Sequence, residues 1–214
     1  MAANDSRETP KMKLHYSPNS PYVRKCMVLA LEAGIAGKIE KLPATVAPTN
    51  PNKELARENP LSKLPSLVTD DGQVLFDSPV ICEYLDSLNP GAKVFPAPGK
   101  ARWTALRLQA LGDGILDAAL LGRYENTRPE EKRWKDWSDG QMFKIRTGLD
   151  SLEADVGVLS GALTIGQITI GCTLGYLDFR YPHEAWRAKR PKLAAWYEDF
   201  AKRKSMSETV PPGP

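Results

Sequence analysis

Residues 16–25 read Tyr-Ser-Pro-Asn-Ser-Pro-Tyr-Val-Arg-Lys, and this stretch decides how the first third of the chain folds. A short strand pattern precedes it at 12–15, and an apolar helix pattern follows it. Pro21 suits the first turn of that helix, and Gly34 suits the residue just beyond its end. The Ser20 hydroxyl is therefore expected at a helix start. There, unpaired backbone N–H groups and the positive end of the helix dipole favour a bound anion.

A second stretch, residues 59–85, continues the same small domain. It predicts two strands joined by a hairpin turn at Asp70-Asp71-Gly72. Asp77 and Ser78 then open another helix. One strand and one helical turn lie between the two stretches. The predicted order of elements is therefore β-α-β-α-β-β-α, an α/β domain that ends near residue 89.

The second half of the chain has a helical pattern throughout. Residues 90–99 contain three prolines and two glycines, which is typical of a linker. After it, apolar residues recur at helical spacing and no strand is predicted, so an all-helical domain should follow the α/β domain. The predicted segments are a mobile tail at 1–11, the α/β domain at 12–89, the linker at 90–99, the helical domain at 100–205 and a tail at 206–214.

Composition argues against several classes of function. The 214 residues include 29 basic and 26 acidic side chains, for a formal net charge of +3. No block of Lys or Arg stands apart from acidic residues, so we expect no nucleic-acid partner. No apolar run could span a bilayer and the N-terminus lacks a signal-peptide core, so we expect no membrane partner and a cytoplasmic location. The separated cysteines Cys26, Cys82 and Cys172, with only two histidines, indicate buried free thiols and no metal site.

Three spaced motifs carry a resemblance to a known family. They are Ser20-Pro21-x-x-Arg24-Lys25, Asn59-Pro60-x-x-Lys63-Leu64-Pro65 and Asp77-Ser78-x-x-Ile81-x-x-Tyr84-Leu85. In this order, and followed by a helical half, they resemble the cytosolic glutathione S-transferase family, in particular its serine-type bacterial members. The resemblance covers about residues 12–205. It implies a thioredoxin-like first domain, a helical bundle as the second domain, glutathione as co-substrate, and a homodimer.

The resemblance implies that the first motif activates a thiol. The thiol of glutathione has a reference pKa of about 8.5 and is mostly protonated near neutral pH. A hydroxyl donor and a helix N-terminus would both favour the thiolate. Ser20 is the predicted donor, with Tyr16 and Ser17 as alternatives. In the plainer interpretation, Ser20 only caps the helix and Tyr16 only packs at the domain seam.

The other two motifs are implied to bind the rest of glutathione. Leu64-Pro65 matches the family's cis-proline turn, whose backbone pairs with the cysteinyl part like an added strand. Lys63 would reach the glycyl carboxylate. Ser78 would hold the γ-glutamyl carboxylate at a helix N-terminus, and Asp77 would face the ammonium group. Helix capping, or a solvated lysine, is the plainer alternative for these polar residues.

The helical half gives a second group of expectations. Gly112 and Gly114 interrupt a good helix former, which close packing against a partner subunit or an open substrate cleft would explain. Asp113 is expected to assist the glutathione bound by a partner subunit, and Trp103 suits a dimer interface. A solvated or interface aspartate is the plainer alternative. The expected lining of the second-substrate pocket is Asp117, Leu121 and Tyr124.

The predicted function is that of a glutathione transferase. The thiolate would attack an electrophilic, mostly apolar small molecule, in conjugation or in glutathione-dependent reduction. The alternative is a non-catalytic glutathione-binding or protein-interaction module with the same fold. A thioredoxin-like disulfide oxidoreductase is not indicated, because the chain has no Cys-x-x-Cys pair. The presence of Lys63, Pro65, Asp77 and Ser78 favours the enzyme.

Overall fold

A computed structural model describes residues 12–213 of the chain. The chain divides into two compact units between Ala92 and Lys93. This division falls inside the predicted linker at 90–99. The expected mobile tail at 1–11 lies outside the described residues.

The first unit is a four-stranded mixed sheet with two α-helices. Its elements, in chain order, are β1 (Met12–Tyr16), α1 (Pro21–Glu32), β2 (Ile39–Pro43), β3 (Ser66–Val68), β4 (Val74–Leu75) and α2 (Ser78–Ser87). The strands lie in the order β2-β1-β3-β4, with β1 parallel to β2 and the other pairs antiparallel. The predicted thioredoxin-like fold is confirmed. The helical turn expected between β2 and β3 is a 3-10 turn at Leu55–Arg57.

The strand register places three strand ends at one edge of the sheet. His15, next to last in β1, lies opposite Ser66, the first residue of β3. Leu67 lies opposite Leu75, the last residue of β4. The carboxyl ends of β1 and β4 therefore meet the start of β3. Because α1 follows β1 and α2 follows β4 within a few residues, both helix N-termini lie at this edge.

The core of the first unit is apolar and includes two neighbouring thiols. Helices α1 and α2 pack against each other, and β3 packs against α2. Cys26 of α1 and Cys82 of α2 are completely buried, and their Sγ atoms are 3.8 Å apart. Cys172, in the second unit, is also buried. None of the three forms a disulfide bond, and all three are buried, as predicted.

The second unit is helical, and no strand occurs in residues 93–213. Its helices are α3 (Lys100–Asn126), α4 (Lys135–Ala154), α5 (Ile165–Arg180), α6 (Pro191–Phe200) and α7 (Lys204–Ser207). The predicted all-helical half is confirmed, with α7 as a short addition that the apolar pattern does not indicate. Helix α3 continues for 27 residues through both Gly112 and Gly114. In the part of the chain that the structure describes, no helix has the length and apolar character needed to cross a bilayer.

Helices α3 and α5 pack closely and run parallel. A Cβ atom on Gly112 would lie 2.8 Å from the Thr169 methyl carbon. The Tyr181 hydroxyl, just past α5, donates to the Ala119 carbonyl at 2.5 Å. Positions further along α3 thus contact positions further along α5. The two helices run in the same direction, so their C-terminal ends lie together. The expectation of a partner subunit or an open cleft is wrong for Gly112, because α5 of the same chain packs against it. At Gly114, an added Cβ atom would have no neighbour within 4 Å.

The start of α5 is held by side-chain and backbone hydrogen bonds. The Thr164 N–H donates to Oε1 of Gln167 at 2.5 Å, and Nε2 of Gln167 donates to the Leu159 carbonyl at 3.0 Å. The Ile165 N–H donates to the Val94 carbonyl at 2.9 Å. These bonds satisfy donors that a helix N-terminus would otherwise leave unpaired. They also attach the segment before α3 to the bundle.

Candidate functional site

The sheet edge where β1, β3 and β4 meet is the candidate site of the first unit. The start of α1, the turn before β3 and the start of α2 lie along it, and each carries one of the three sequence motifs. Both helix N-termini present backbone N–H groups and positive dipole ends. The edge is therefore suited to a ligand with several negative groups. Residues 12–213 contain no cluster of His, Cys, Asp or Glu that could hold a metal ion.

Ser20 occupies the N-cap position of α1, directly before Pro21. Its hydroxyl oxygen accepts a hydrogen bond from the Val23 N–H at 3.3 Å, and its own N–H donates to the Ser17 carbonyl at 3.1 Å. The residue is half-buried, so a ligand can reach it. A hydroxyl has one proton to donate and two lone pairs. Capping α1 therefore leaves the Ser20 proton available for an acceptor such as a thiolate.

Tyr16 and Ser17 lie at the end of β1, and both are half-buried. Burial raises the pKa of the Tyr16 hydroxyl above its ordinary value, so this group stays protonated near neutral pH. The Lys41 ammonium nitrogen lies 4.9 Å from the centre of the Tyr16 ring. The structure thus brings Tyr16, Ser17 and Ser20 into one short turn, with three hydroxyls close in sequence.

The turn before β3 contains the expected cis-proline. The Leu64–Pro65 peptide bond is cis, and Pro65 is buried. Lys63 is exposed immediately ahead of it. Ser66, which follows, is completely buried, and its Oγ has no hydrogen-bond partner among residues 12–213. Lys63 is therefore accessible to a ligand, whereas the Ser66 side chain faces the interior.

Asn59 shapes this turn from within. Its side chain is 1% exposed, donates to the Lys63 carbonyl at 2.9 Å and accepts from the Leu61 N–H at 3.1 Å. The neighbouring Glu58 carboxylate lies 2.6 Å from Nε2 of His15, which ties the loop to the end of β1. The sequence motif alone assigns no role to Asn59. The Asn-Pro pair, a common turn signal, is the feature that could have indicated one.

Asp77 and Ser78 begin α2, as the sequence predicts. Asp77 stands at the N-cap position, but its side chain makes no capping bond and is exposed. The plainer expectation of capping by this carboxylate is therefore wrong, and the Phe76–Asp77 peptide is also cis. Ser78 is 2% exposed, and its carbonyl lies 4.0 Å from the Cys26 sulfur of α1. Asp77 is thus open to a ligand, and the start of α2 is anchored on α1.

The residues predicted for the second substrate and for partner contact all lie on α3. Asp117 and Leu121 are exposed, and Tyr124 and Asp113 are half-buried. Their spacing of three or four residues places them on one side of the helix. Gly112, packed against α5, belongs to the other side.

Two segments of the chain match known domain families. Residues 19–88 match the glutathione S-transferase N-terminal domain, and residues 132–199 match the glutathione S-transferase C-terminal domain. The chain is also 37% identical over 205 residues to the uncharacterized GST-like protein YibF of Escherichia coli K12, covering 94% of this chain and 99% of that protein. The chain belongs to the glutathione S-transferase family. The predicted family is thereby confirmed.

Solved structures of other glutathione S-transferase family members have the same fold. A family member from Pseudomonas fluorescens Pf-5, crystallised with bound glutathione, matches with a TM-score of 0.92 and 46% identity, covering 94% of this chain and 99% of that one. A family member from the same organism with bound S-(propanoic acid)-glutathione matches with a TM-score of 0.88 and 45% identity, covering 94% and 100%. The motifs around Ser20, Pro65 and Ser78 all fall within the N-terminal family match.

Proposed function

We propose that this protein is a glutathione transferase that binds glutathione at the sheet edge and activates its thiol. One observation carries the proposal: the strand register gathers the Ser20 helix start, the Pro65 turn and the Ser78 helix start at a single edge. Glutathione has an ionisable thiol and two carboxylates, which suits an edge with two helix N-termini. The family structures that hold glutathione and a glutathione conjugate support the same ligand here.

The non-reacting parts of glutathione would bind to the second and third motifs. The backbone at Leu64-Pro65 would pair with the cysteinyl part as an added strand. Lys63, which is exposed, would bind the glycyl carboxylate. The start of α2 at Ser78 would hold the γ-glutamyl carboxylate, and the exposed Asp77 carboxylate would face the ammonium group. Together these contacts would point the thiol toward the start of α1.

Ser20 would act on the thiol by donating its hydroxyl proton to the sulfur. A donor of this kind favours the thiolate, and the positive end of α1 adds to the effect. Lowering the thiol pKa by one to two units corresponds to about 1.4–2.7 kcal/mol of anion stabilisation. Tyr16, protonated because burial raises its pKa, and Ser17 are the alternative donors.

The thiolate would then attack an electrophilic, mostly apolar small molecule, in conjugation or in reduction. We propose that the exposed side of α3, with Asp117, Leu121 and Tyr124, binds this second substrate. A homodimer in the cytoplasm is the proposed working form, in which Asp113 assists the glutathione of the partner subunit. The glutathione bound to the Pseudomonas fluorescens relative with its sulfur substituted supports chemistry at this sulfur.

Calorimetric titration with reduced glutathione, read beside the ultraviolet absorbance of the thiolate, tests the proposal. We expect micromolar-to-millimolar binding with thiolate present at neutral pH. S-methylglutathione is the matched control, because it keeps both carboxylates but cannot ionise at sulfur; it should bind without the absorbance. No binding of either peptide would refute the proposal. Binding without ionisation, and without turnover of a panel of electrophiles, would favour the non-catalytic module.

A further inference from the structure

Two arginines lie at the same end of the helical unit. Arg123 is in the last turn of α3, and Arg180 is the last residue of α5. Because the two helices run parallel, their C-terminal ends lie together. The contacts of Tyr181, the residue after Arg180, fix this arrangement. Its hydroxyl bonds the Ala119 carbonyl at 2.5 Å, and a Cβ on Gly122 would lie 3.0 Å from that hydroxyl.

Neither arginine has an acidic partner within residues 12–213. The nearest carboxylates in sequence are already used by other arginines. These pairs are Glu125 with Arg128, Asp178 with Arg187 and Glu184 with Arg146. The positive charges of Arg123 and Arg180 are therefore not neutralised by the described part of the protein.

The Arg180 guanidinium is partly withdrawn from water. Its central carbon lies 3.7 Å from the centre of the Phe179 ring. Its Nε is buried and has no hydrogen-bond partner in the part of the chain that the structure describes. Burial lowers the pKa of Arg180 below its ordinary value, and the nearby charge of Arg123 lowers it further. The unpaired Nε–H of Arg180 is unfavourable, and so is the repulsion between the two guanidinium charges. An anion bound between Arg123 and Arg180 would accept the hydrogen bond and reduce the repulsion.

A plainer interpretation is that each arginine only complements the negative end of its own helix dipole. That role requires one exposed cation at the end of each helix, and it does not require the two arginines to lie near each other. The environment of Tyr176, which is 2% exposed, shows such an association. Burial raises the pKa of its hydroxyl, and the charges of Arg123 and Arg180 both oppose that rise. Both guanidinium groups are therefore near one buried tyrosine at the end of the bundle.

We propose that Arg123 and Arg180 form a binding site for a small organic carboxylate with an apolar, aromatic body. Each guanidinium offers a fork of N–H donors that matches the geometry of a carboxylate. The Phe179 ring beside Arg180 favours a planar apolar body over a fully hydrated inorganic anion. Both arginines are half-buried, so the site is accessible from solvent. The inference goes beyond the proposed function, because neither arginine is among the residues proposed to bind glutathione or the second substrate, and no glutathione is needed.

Titration of the full-length protein with sodium trans-cinnamate, in the absence of glutathione, tests this site. The uncharged trans-cinnamamide has the same ring without the carboxylate and should bind about tenfold more weakly or worse. Arg123→Gln and Arg180→Gln should each weaken cinnamate binding by about tenfold. Arg107→Gln, which changes an exposed arginine on the same helix, should leave it unchanged. In the ¹⁵N spectrum of arginine side chains, the Nε–H signal of Arg180 should shift on titration.

Arg180→Lys keeps the positive charge but loses the forked pair of N–H donors, so it should bind cinnamate with intermediate affinity. This variant replaces Arg180→Gln if the glutamine variant does not fold. The proposal is overturned if cinnamate fails to bind, or if folded Arg123 and Arg180 variants bind it as the unchanged protein does. Sulfate binding as tight as cinnamate binding would overturn the assignment to an aromatic carboxylate. Failure of glutathione binding in a separate titration would leave this result untouched.

Discussion

At the scale of single residues, Ser20 can cap α1 and still donate a proton to a ligand. Ser20→Ala removes that donor, so the thiol of bound glutathione should rise in pKa by about one unit, and turnover at neutral pH should fall about tenfold. Affinity for glutathione should change only a few-fold, because the carboxylate contacts remain. A pH titration of thiolate absorbance in the complex measures the shift.

Tyr16→Phe and Ser17→Ala are the controls for this assignment, since both hydroxyls lie in the same short turn. Each should leave the pKa of the bound thiol close to that of the unchanged protein. If Tyr16→Phe raises the pKa and abolishes turnover while Ser20→Ala does neither, the donor is Tyr16.

Tyr181 gives a residue-scale prediction for alkaline pH. Burial raises its pKa from 10.0 to about 12 in the folded protein. Between these values the unfolded chain has lost the hydroxyl proton and the folded chain has kept it, so stability falls as pH rises. At neutral pH Tyr181→Phe should cost about 1 kcal/mol, from the lost bond to the Ala119 carbonyl. The difference should reach about zero near pH 11 and change sign at higher pH, because the free energy lost to the raised pKa then exceeds that of the hydrogen bond.

Urea unfolding of the unchanged protein and Tyr181→Phe at both pH values measures these differences in free energy. A constant difference across the pH range would show that the hydroxyl does not titrate as described.

Which residues form the candidate site is largely predictable, and how each is oriented is not. Ser20 and Ser78 are indicated by local cap signals that depend on neighbours in sequence, and Pro65 by its place in a motif that resembles the family's. The missing capping bond of Asp77 and the burial of Asn59 depend on side-chain placement after folding. So does the proximity of Arg123 to Arg180, which are 57 residues apart in sequence. Periodicity within one helix carries no information on such a pair.

At the scale of elements, the packing of α3 on α5 requires a missing side chain. Gly112→Ala would place a Cβ 2.8 Å from the Thr169 methyl carbon and 3.1 Å from the Thr173 hydroxyl. Overpacking of this kind should destabilise the protein by about 1–3 kcal/mol. Gly114→Ala is the matched control, because a Cβ there meets nothing within 4 Å. It should stabilise the protein by up to about 1 kcal/mol, from helix propensity.

Thermal or urea unfolding of the two variants distinguishes these effects. Equal stability of both would contradict the close approach of α3 and α5.

The elements themselves follow from local sequence, but their partners do not. Alternating and helical apolar patterns, with Pro21 and Gly34 at the ends of α1, indicate where strands and helices occur. The glycines of α3 suggest a close neighbour, but only Gly112 of the pair Gly112 and Gly114 has one. Sequence spacing alone does not show whether that neighbour is another subunit, a substrate or α5.

At the scale of the whole molecule, the proposed homodimer can be tested through Trp103. This side chain is 69% exposed on α3. If it packs in a dimer, light scattering should give twice the chain mass of 23.6 kDa. Trp103→Ser should then weaken association by about 2 kcal/mol or more, about 30-fold in Kd.

Trp134→Ser is the control, because the Trp134 side chain is also largely exposed, at 62%. Its backbone N–H donates to the carboxylate of Glu125, which lies near the other end of α3. At 1.5 Å per residue, that end is about 30 Å from Trp103. A monomeric unchanged protein, or equal effects of the two substitutions, would count against an interface at Trp103.

The two sides of α3 also differ in how freely the proposed transferase could change during evolution. Asp117, Leu121 and Tyr124 are at least partly open to solvent, whereas Gly112 and Ala119 are buried against α5. In a library randomised along this helix and selected for new electrophiles, accepted changes should collect on the open side. Clones altered at the buried side should be lost before selection for activity, because they fold poorly. New substrate preferences in this lineage would therefore be acquired along one stripe of one helix.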